Sequence, residues 1–176
     1  TLFAEDSSGN TSSASVQINV LDTIAPVIGG SSFTLYLDSN GNAEVDVNQV
    51  VSVLTDNCSI DSIWSSQTNF SCADTGGVFN VQITASDLSG NTANGNFQVI
   101  VEDTSAPVIV VNTPVVYLDA AGQATLTAGL IDNGTTDNCA LDTFFLDRTL
   151  FDCNNAGDTV PVVFTAIDVS GNAASR

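Results

Sequence analysis

Residues 78–86, VFNVQITAS, alternate strictly: Phe79, Val81, Ile83 and Ala85 share one face, and Asn80, Gln82 and Thr84 share the other. In 96–102, NFQVIVE, the residues Phe97, Val99 and Val101 again point one way. Successive Cβ atoms of a strand point to opposite faces, so period two predicts two half-buried strands. Between them lies D-L-S-G-N, residues 87–91, which reads as a hairpin connection. Gly accepts positive φ there, and Asp bonds its own backbone. Upstream, FTLYL (33–37) and AEVDV (43–47) flank DSNGN, a second hairpin. Residues 48–54 predict a short helical turn or an irregular crossing, and 60–66 and 68–72 two further short strands. About seven short strands in about 80 residues predict an all-β fold, a two-sheet antiparallel sandwich of immunoglobulin type. Trp64, like Phe145 further on, is expected in the core, as are Phe70 and Phe151.

The pattern then returns. DSSGN (6–10), DLSGN (87–91) and DVSGN (168–172) are spaced by 81 residues each time. LDTIAPVI (21–28) returns as EDTSAPVI (102–109), Tyr36-Leu37-Asp38 as Tyr117-Leu118-Asp119, and Thr55–Cys58 as Thr136–Cys139, all at the same offset. A period this long makes each repeat a small domain with its own core, not a solenoid turn. The frame assigns 1–22 to the last strands of a preceding repeat, 23–103 to a complete one, and 104–176 to one lacking its last strand. The 176 residues read as a window on a longer polypeptide. Ala25-Pro26 and Ala106-Pro107 open each repeat; Pro fixes φ and stiffens the link to the preceding strand. In the second copy DSNGN becomes DAAGQ, so the glycine is kept and the amide side chains are not. The turn itself is what that position requires.

Composition narrows the functions. Twenty acidic residues stand against two basic ones, with no His, for a net charge of −18. That excludes nucleic acid and disfavours anionic membranes, since both need Lys and Arg. Repulsion at this charge calls for screening by salt or bound cations. With 43% hydrophobic residues the chain is not a disordered acidic tail. No apolar run approaches the roughly 20 residues a spanning helix needs, so direct membrane insertion is not expected. Catalysis is not expected either. Acid–base chemistry lacks His and Lys, and the carboxylates that could pair, such as Asp56 and Asp61, recur in every repeat.

The cysteines fall two per repeat, 14 residues apart each time: Cys58 with Cys72, and Cys139 with Cys153. The identical spacing predicts one disulfide inside each repeat, Cys58–Cys72 and Cys139–Cys153, in an oxidising compartment. Buried free thiols are the alternative.

For D-x-S-G-N two readings stand side by side. One is a tight turn whose Asp accepts backbone N–H bonds. The other is a calcium site, because calcium gathers six to eight oxygens from Asp, Asn and carbonyls. The last hairpin of such a sandwich lies where the chain enters. It would place Asp87 and Asn91 near Asp22, and Asp168 and Asn172 near Glu102 and Asp103, with Asp6 and Asn10 the equivalents in the partial first copy. Asp56-Asn57 and Asp137-Asn138 are a secondary candidate.

The order D-T-x-A-P-x-I, T-D-N-C, T-A-x-D-x-S-G-N and V-x-D, carried by Asp22–Ile28, Thr55–Cys58, Thr84–Asn91 and Val101–Asp103, resembles the hyalin repeat. That family is an immunoglobulin-like extracellular module. The form with Cys58 and Cys72 looks like the tandem repeats of large surface adhesins of gliding Bacteroidota. The resemblance implies export to the cell surface, tandem stalks and adhesion, and names no ligand. It also implies O-glycosylation of Asp-Ser/Thr-aliphatic triplets, met at Thr23, Ser62 and Thr159. The leading expectation is therefore a rigid structural and adhesive segment whose first partners are neighbouring repeats, with surface glycans or other cells beyond. A glycan- or protein-binding module acting through exposed loops, and subunits that share strands in a filament, are the alternatives.

Overall fold

The computed structural model describes all 176 residues. The chain is an all-β sandwich type interrupted by single helical turns. Its strands are β1 (Leu2–Glu5), β2 (Thr11–Ala14), β3 (Val27–Gly30), β4 (Phe33–Tyr36) and β5 (Asn42–Glu44). The turn α1 (Val47–Val50) precedes β6 (Val51–Thr55), β7 (Ile60–Ser65), β8 (Asn69–Ser71), β9 (Val78–Asp87) and β10 (Thr92–Glu102). Beyond these come β11 (Gln123–Thr125), α2 (Ala128–Ile131), β12 (Leu141–Leu146), β13 (Leu150–Asp152), β14 (Phe164–Asp168) and β15 (Ala173–Ser175). The helical turn expected within 48–54 is α1, capped by Asp46, whose carboxylate accepts the Asn48 N–H at 2.9 Å.

The longest sheet runs β4-β10-β9-β7. β9 and β10 pair antiparallel from Ser86–Thr92 to Val78–Ile100, the hairpin that the alternation predicts. β4 lies parallel to β10. Two smaller ladders, β3-β6 and β5-β8, complete this half. The alternating residues do what their period requires. Val81, Ile83, Ala85, Val99 and Val101 are buried to 1% exposure or less, and pack with Leu35, Leu37, Val50, Phe70 and Phe97. A separate core gathers Ala124, Leu126, Ile131, Phe151, Phe164 and Ala166 over β11–β14. Phe70 and Phe151 are thus core residues, as expected.

Trp64 and Phe145 are not. They are 47% and 57% exposed. β7 is an edge strand, and its inward position is taken by Ile63, which packs on the core. The pleat then turns Trp64 outward. In β12 the inward ring is Phe144, tilted against Phe164 at a centroid distance of 5.2 Å.

Candidate cation site and inter-repeat joint

All three D-x-S-G-N copies build the same turn. The first Asp oxygen accepts the N–H groups two and four residues on: Ser8 and Asn10 to Asp6, Ser89 and Asn91 to Asp87, Ser170 and Asn172 to Asp168, all at 2.8–2.9 Å. The Asn side chain donates back to the second oxygen at 2.7–2.9 Å. Gly9, Gly90 and Gly171 take φ near +84° to +88°, which only glycine enters at no steric cost. This answers the structural half of the motif. Its Asp is a turn-former in every copy.

Two of the copies carry more. Asp87 is buried at 2% exposure, and one carboxylate oxygen each from Asp22, Asp56 and Asp87 lie within 4.8 Å of one another. Asp103, Asp137 and Asp168 form the same triad 81 residues on, with Asp103 and Asp168 buried. The linker and the last hairpin converge as the sequence predicts. Asn91 donates to the Asp22 and Ile24 carbonyls at 3.3 Å, and Asn172 to the Asp103 carbonyl at 3.1 Å. Both asparagines therefore work as donors that pin the linker.

The third acid of each triad comes from the T-D-N-C corner, the secondary candidate. That loop is folded by its own Asp: Asp56 accepts the Cys58 N–H at 2.8 Å, and Asp137 the Cys139 N–H at 2.9 Å. Glu102 stays outside, exposed on β10 opposite Tyr36. Asp6 and Asn10 sit in an exposed hairpin outside both acidic triads.

Two acids of the triads are shifted, in opposite directions. Burial raises the Asp137 carboxyl, and the charges of Asp168 and Asp103 add to the rise. Asp22 is lowered instead, by the Asn57 amide and the Ile24 N–H. Asp22 Oδ2, Asp56 Oδ1, Asp137 Oδ1 and Asn138 Oδ1 are all buried without a hydrogen-bond partner. Two of these oxygens belong to the first triad and one, Asp137 Oδ1, to the second; a buried oxygen left so is costly, and carboxylate oxygens are what a hard cation takes. Each acidic cluster could hold a metal ion.

The cysteines do not pair inside the repeats. Cys72 is bonded to Cys139, while Cys58 and Cys153 are exposed free thiols. The expected Cys58–Cys72 and Cys139–Cys153 bridges are thereby corrected. Cys58 belongs to the corner beside Asp22, Asp56 and Asp87; hydrogen bonding to Asp22, then burial and these charges, pushes its thiol up. The second hairpin expected around DSNGN does not form, because β4 pairs with β10 and β5 with β8 in a different sheet. Asp38–Asn42 is a tight turn between the two, and the Cys72 N–H donates to its Gly41 carbonyl at 3.1 Å. That tip is met by the T-D-N-C corner of the following repeat. Asn138 donates to the Asp38 carbonyl at 3.0 Å and to the Asp103 carboxylate at 3.1 Å. Gly41, at φ +72°, is required here twice over: a Cβ would collide with Cys72 Sγ and come within 2.7 Å of the Asn138 carbonyl. Sequence spacing concealed this pairing. In an 81-residue period the separation of 67 between Cys72 and Cys139 is as constant as the separation of 14.

Fold and site together define an all-β chain whose two cores are cross-linked by Cys72–Cys139, with two triads of acids. No protein-family model matches the chain. Over 181 aligned residues, covering 98% of this chain, the sequence is 33% identical to hyalin of Strongylocentrotus purpuratus. The chain spans 15% of the length of that protein. This similarity supports a hyalin-repeat-like domain.

Proposed function

We propose that this chain is a structural and adhesive segment of an extracellular protein, two immunoglobulin-like repeats held at a fixed angle. It is not an enzyme. The reading places the repeats at 23–103 and 104–176, with 1–22 as the closing strands of another. Their host on this reading is a large cell-surface adhesin of the gliding Bacteroidota kind. The observation that carries it is the joint. Cys72–Cys139 and Asn138 tie the two halves together across the link from Asp103 to Ala106. Such a joint suits a spacer that holds a binding surface away from the cell. Calcium in the two acid triads would brace the same region, because Asp103 belongs to both the link and the triad. Thr23, Ser62 and Thr159 are all exposed, as glycan acceptors must be.

Small-angle scattering of the oxidised chain in calcium tests the stalk. An elongated particle with one sharp distance distribution is expected. A broad distribution, typical of two bodies swinging on a tether, would remove the reading.

A further inference from the structure

Trp64 stands 47% exposed on β7, and the register sets it opposite Thr84 of β9, which in turn faces Asn94 of β10. The Thr84 hydroxyl donates to the Asn94 side-chain oxygen at 2.7 Å, so the row is held across three strands. Neighbouring strands lie about 4.8 Å apart, which makes the row about 10 Å long, the length of a disaccharide. The next rows along the same face pair Gln82 with Asn96 and Asn80 with Gln98, all four exposed. In the other direction Ser86 faces Thr92. The pleat puts all of these on the Trp64 side of the sheet. No outward position of β9 from 80 to 86, or of β10 from 92 to 98, is charged. Twenty acids are spread over the chain, so an acid-free face beside its only tryptophan is a local feature.

The second half of the chain builds the same row 81 residues on. Phe145, 57% exposed, faces Thr165, and the Thr165 and Ser175 hydroxyls lie 2.8 Å apart. Trp64 is exposed with the second half attached through Cys139, and Phe145 with the first half attached through Cys72, so the joint covers neither ring. The surroundings of the two rings differ. Ser66, Asn80 and Gln82 become Asp147, Pro161 and Val163, so amides are lost and an acid enters. The Asp147 carboxylate accepts the Val163 N–H at 2.8 Å, where the Ser66 hydroxyl accepts that of Gln82 at 3.0 Å. The aromatic row is common to both halves, and these amides belong to the first alone.

We propose that this face binds a neutral glycan, with one sugar ring stacked on Trp64 and the hydroxyls of the glycan met by Gln82, Thr84, Asn94 and Asn96. An indole offers a flat apolar face with a polar edge, and the C–H face of a pyranose covers it. Asn and Gln side chains each present donors and an acceptor, which is what a run of sugar hydroxyls presents in return. A protein partner needs an apolar centre to its contact, and here the ring is bordered by amides and hydroxyls. Charge selects the class of glycan. At a net charge of −18, and with no base on the face, an anionic polysaccharide is repelled. The proposal does not need the joint to be stiff, so it stands or falls apart from the stalk.

Because Trp64 is the only tryptophan, its fluorescence reads the site directly. The full chain is titrated with cellohexaose, laminarihexaose, maltohexaose, mannohexaose and xylohexaose, and with an alginate oligosaccharide as the charged control. At least one neutral sugar should shift the emission to the blue and shield it from acrylamide, and alginate should do neither. By calorimetry, Trp64→Ala should weaken that binding about 10-fold or more. Gln82→Ala and Asn96→Ala, at exposed positions, should weaken it severalfold with the melting temperature unchanged. Phe145→Ala should bind as the parent does. No response to any neutral sugar, tighter binding of alginate, binding indifferent to Trp64→Ala, or an equal loss in Phe145→Ala would each overturn the proposal. A blue shift that grows with protein concentration alone would overturn it too, because the face would then seat a second copy of the chain.

Discussion

Asp137 is the residue on which the cation argument can be tested most sharply. Its carboxyl is raised above its usual 3.8 by burial and by the charges of Asp168 and Asp103. In the ion-free protein an ionised Asp137 therefore opposes folding. As pH falls from above its folded pKa towards 3.8, the folded state takes up the proton first, and this group's penalty disappears. Stability from an ion bound at the triad would run the other way, since protons compete for the same oxygens. The melting-temperature gap between calcium and EGTA should thus be wide at pH 7 and close as pH approaches 4. At a calcium level 100-fold above Kd the gap corresponds to about 2.7 kcal/mol per site. Asp137→Asn should raise the ion-free melting temperature while reducing the calorimetric stoichiometry from two ions to one, the number of intact triads. A variant that still binds two ions would show that the triads are not the sites. Asp22 has the opposite sign: lowered by its hydrogen bonds, it supports folding above 3.8 and gives that up as pH falls below.

At the scale of the element, the glycine turns divide into two kinds that the sequence does not distinguish. The D-x-S-G-N tips are open: a Cβ on Gly90 meets nothing within 4 Å. Gly90→Ala should cost only the positive-φ penalty, about 1 kcal/mol. The Asp38–Asn42 tip is a docking surface. Gly41→Ala adds collisions with Cys72 and the Asn138 carbonyl to a similar backbone strain, so its melting temperature should fall well below that of Gly90→Ala. Equal losses in the two variants would mean that the tip does not bear the joint. The strands and the β9–β10 hairpin were legible because alternation and turn residues are local, whereas the turn at Asp38–Asn42 was legible but its strands pair elsewhere, β4 with β10 and β5 with β8. Val81, Ile83, Val99 and Val101 announce their burial from period two alone. The linker acids were legible through the repeat, which sets Asp22 and Asp103 just ahead of each Pro. Trp64 was misjudged because ring size says nothing about which face of an edge strand it occupies. The cysteine pairing was misjudged because it depends on which end of the sandwich each loop occupies, and that is fixed only when the sheets assemble.

For the whole molecule, net charge and the cross-link act on the same joint. Twenty acids and two bases push the chain apart, and both triads crowd three acids where the linkers pass. Asn138, Ser170 and Asn172 hydrogen-bond across that place to Asp38 and Asp103, and the Cys72–Cys139 bond ties the two cores there covalently. The bond spans 67 residues, so in the chain-entropy view it removes about 4 kcal/mol of unfolded-state freedom. Those residues run from the first core into the second, so the bond couples the unfolding of both. With it intact, and calcium present, calorimetry should show one transition or two closely spaced ones. The double variant Cys72→Ser, Cys139→Ser should melt in two separated steps. The second core should melt first, since six residues form its buried cluster against ten in the first. Low salt should widen the separation, because screening over a Debye length of about 8 Å at physiological ionic strength is what then restrains the repulsion. Coincident melting of both cores without the disulfide would mean that the interface couples them through packing, and that the bond merely records their proximity.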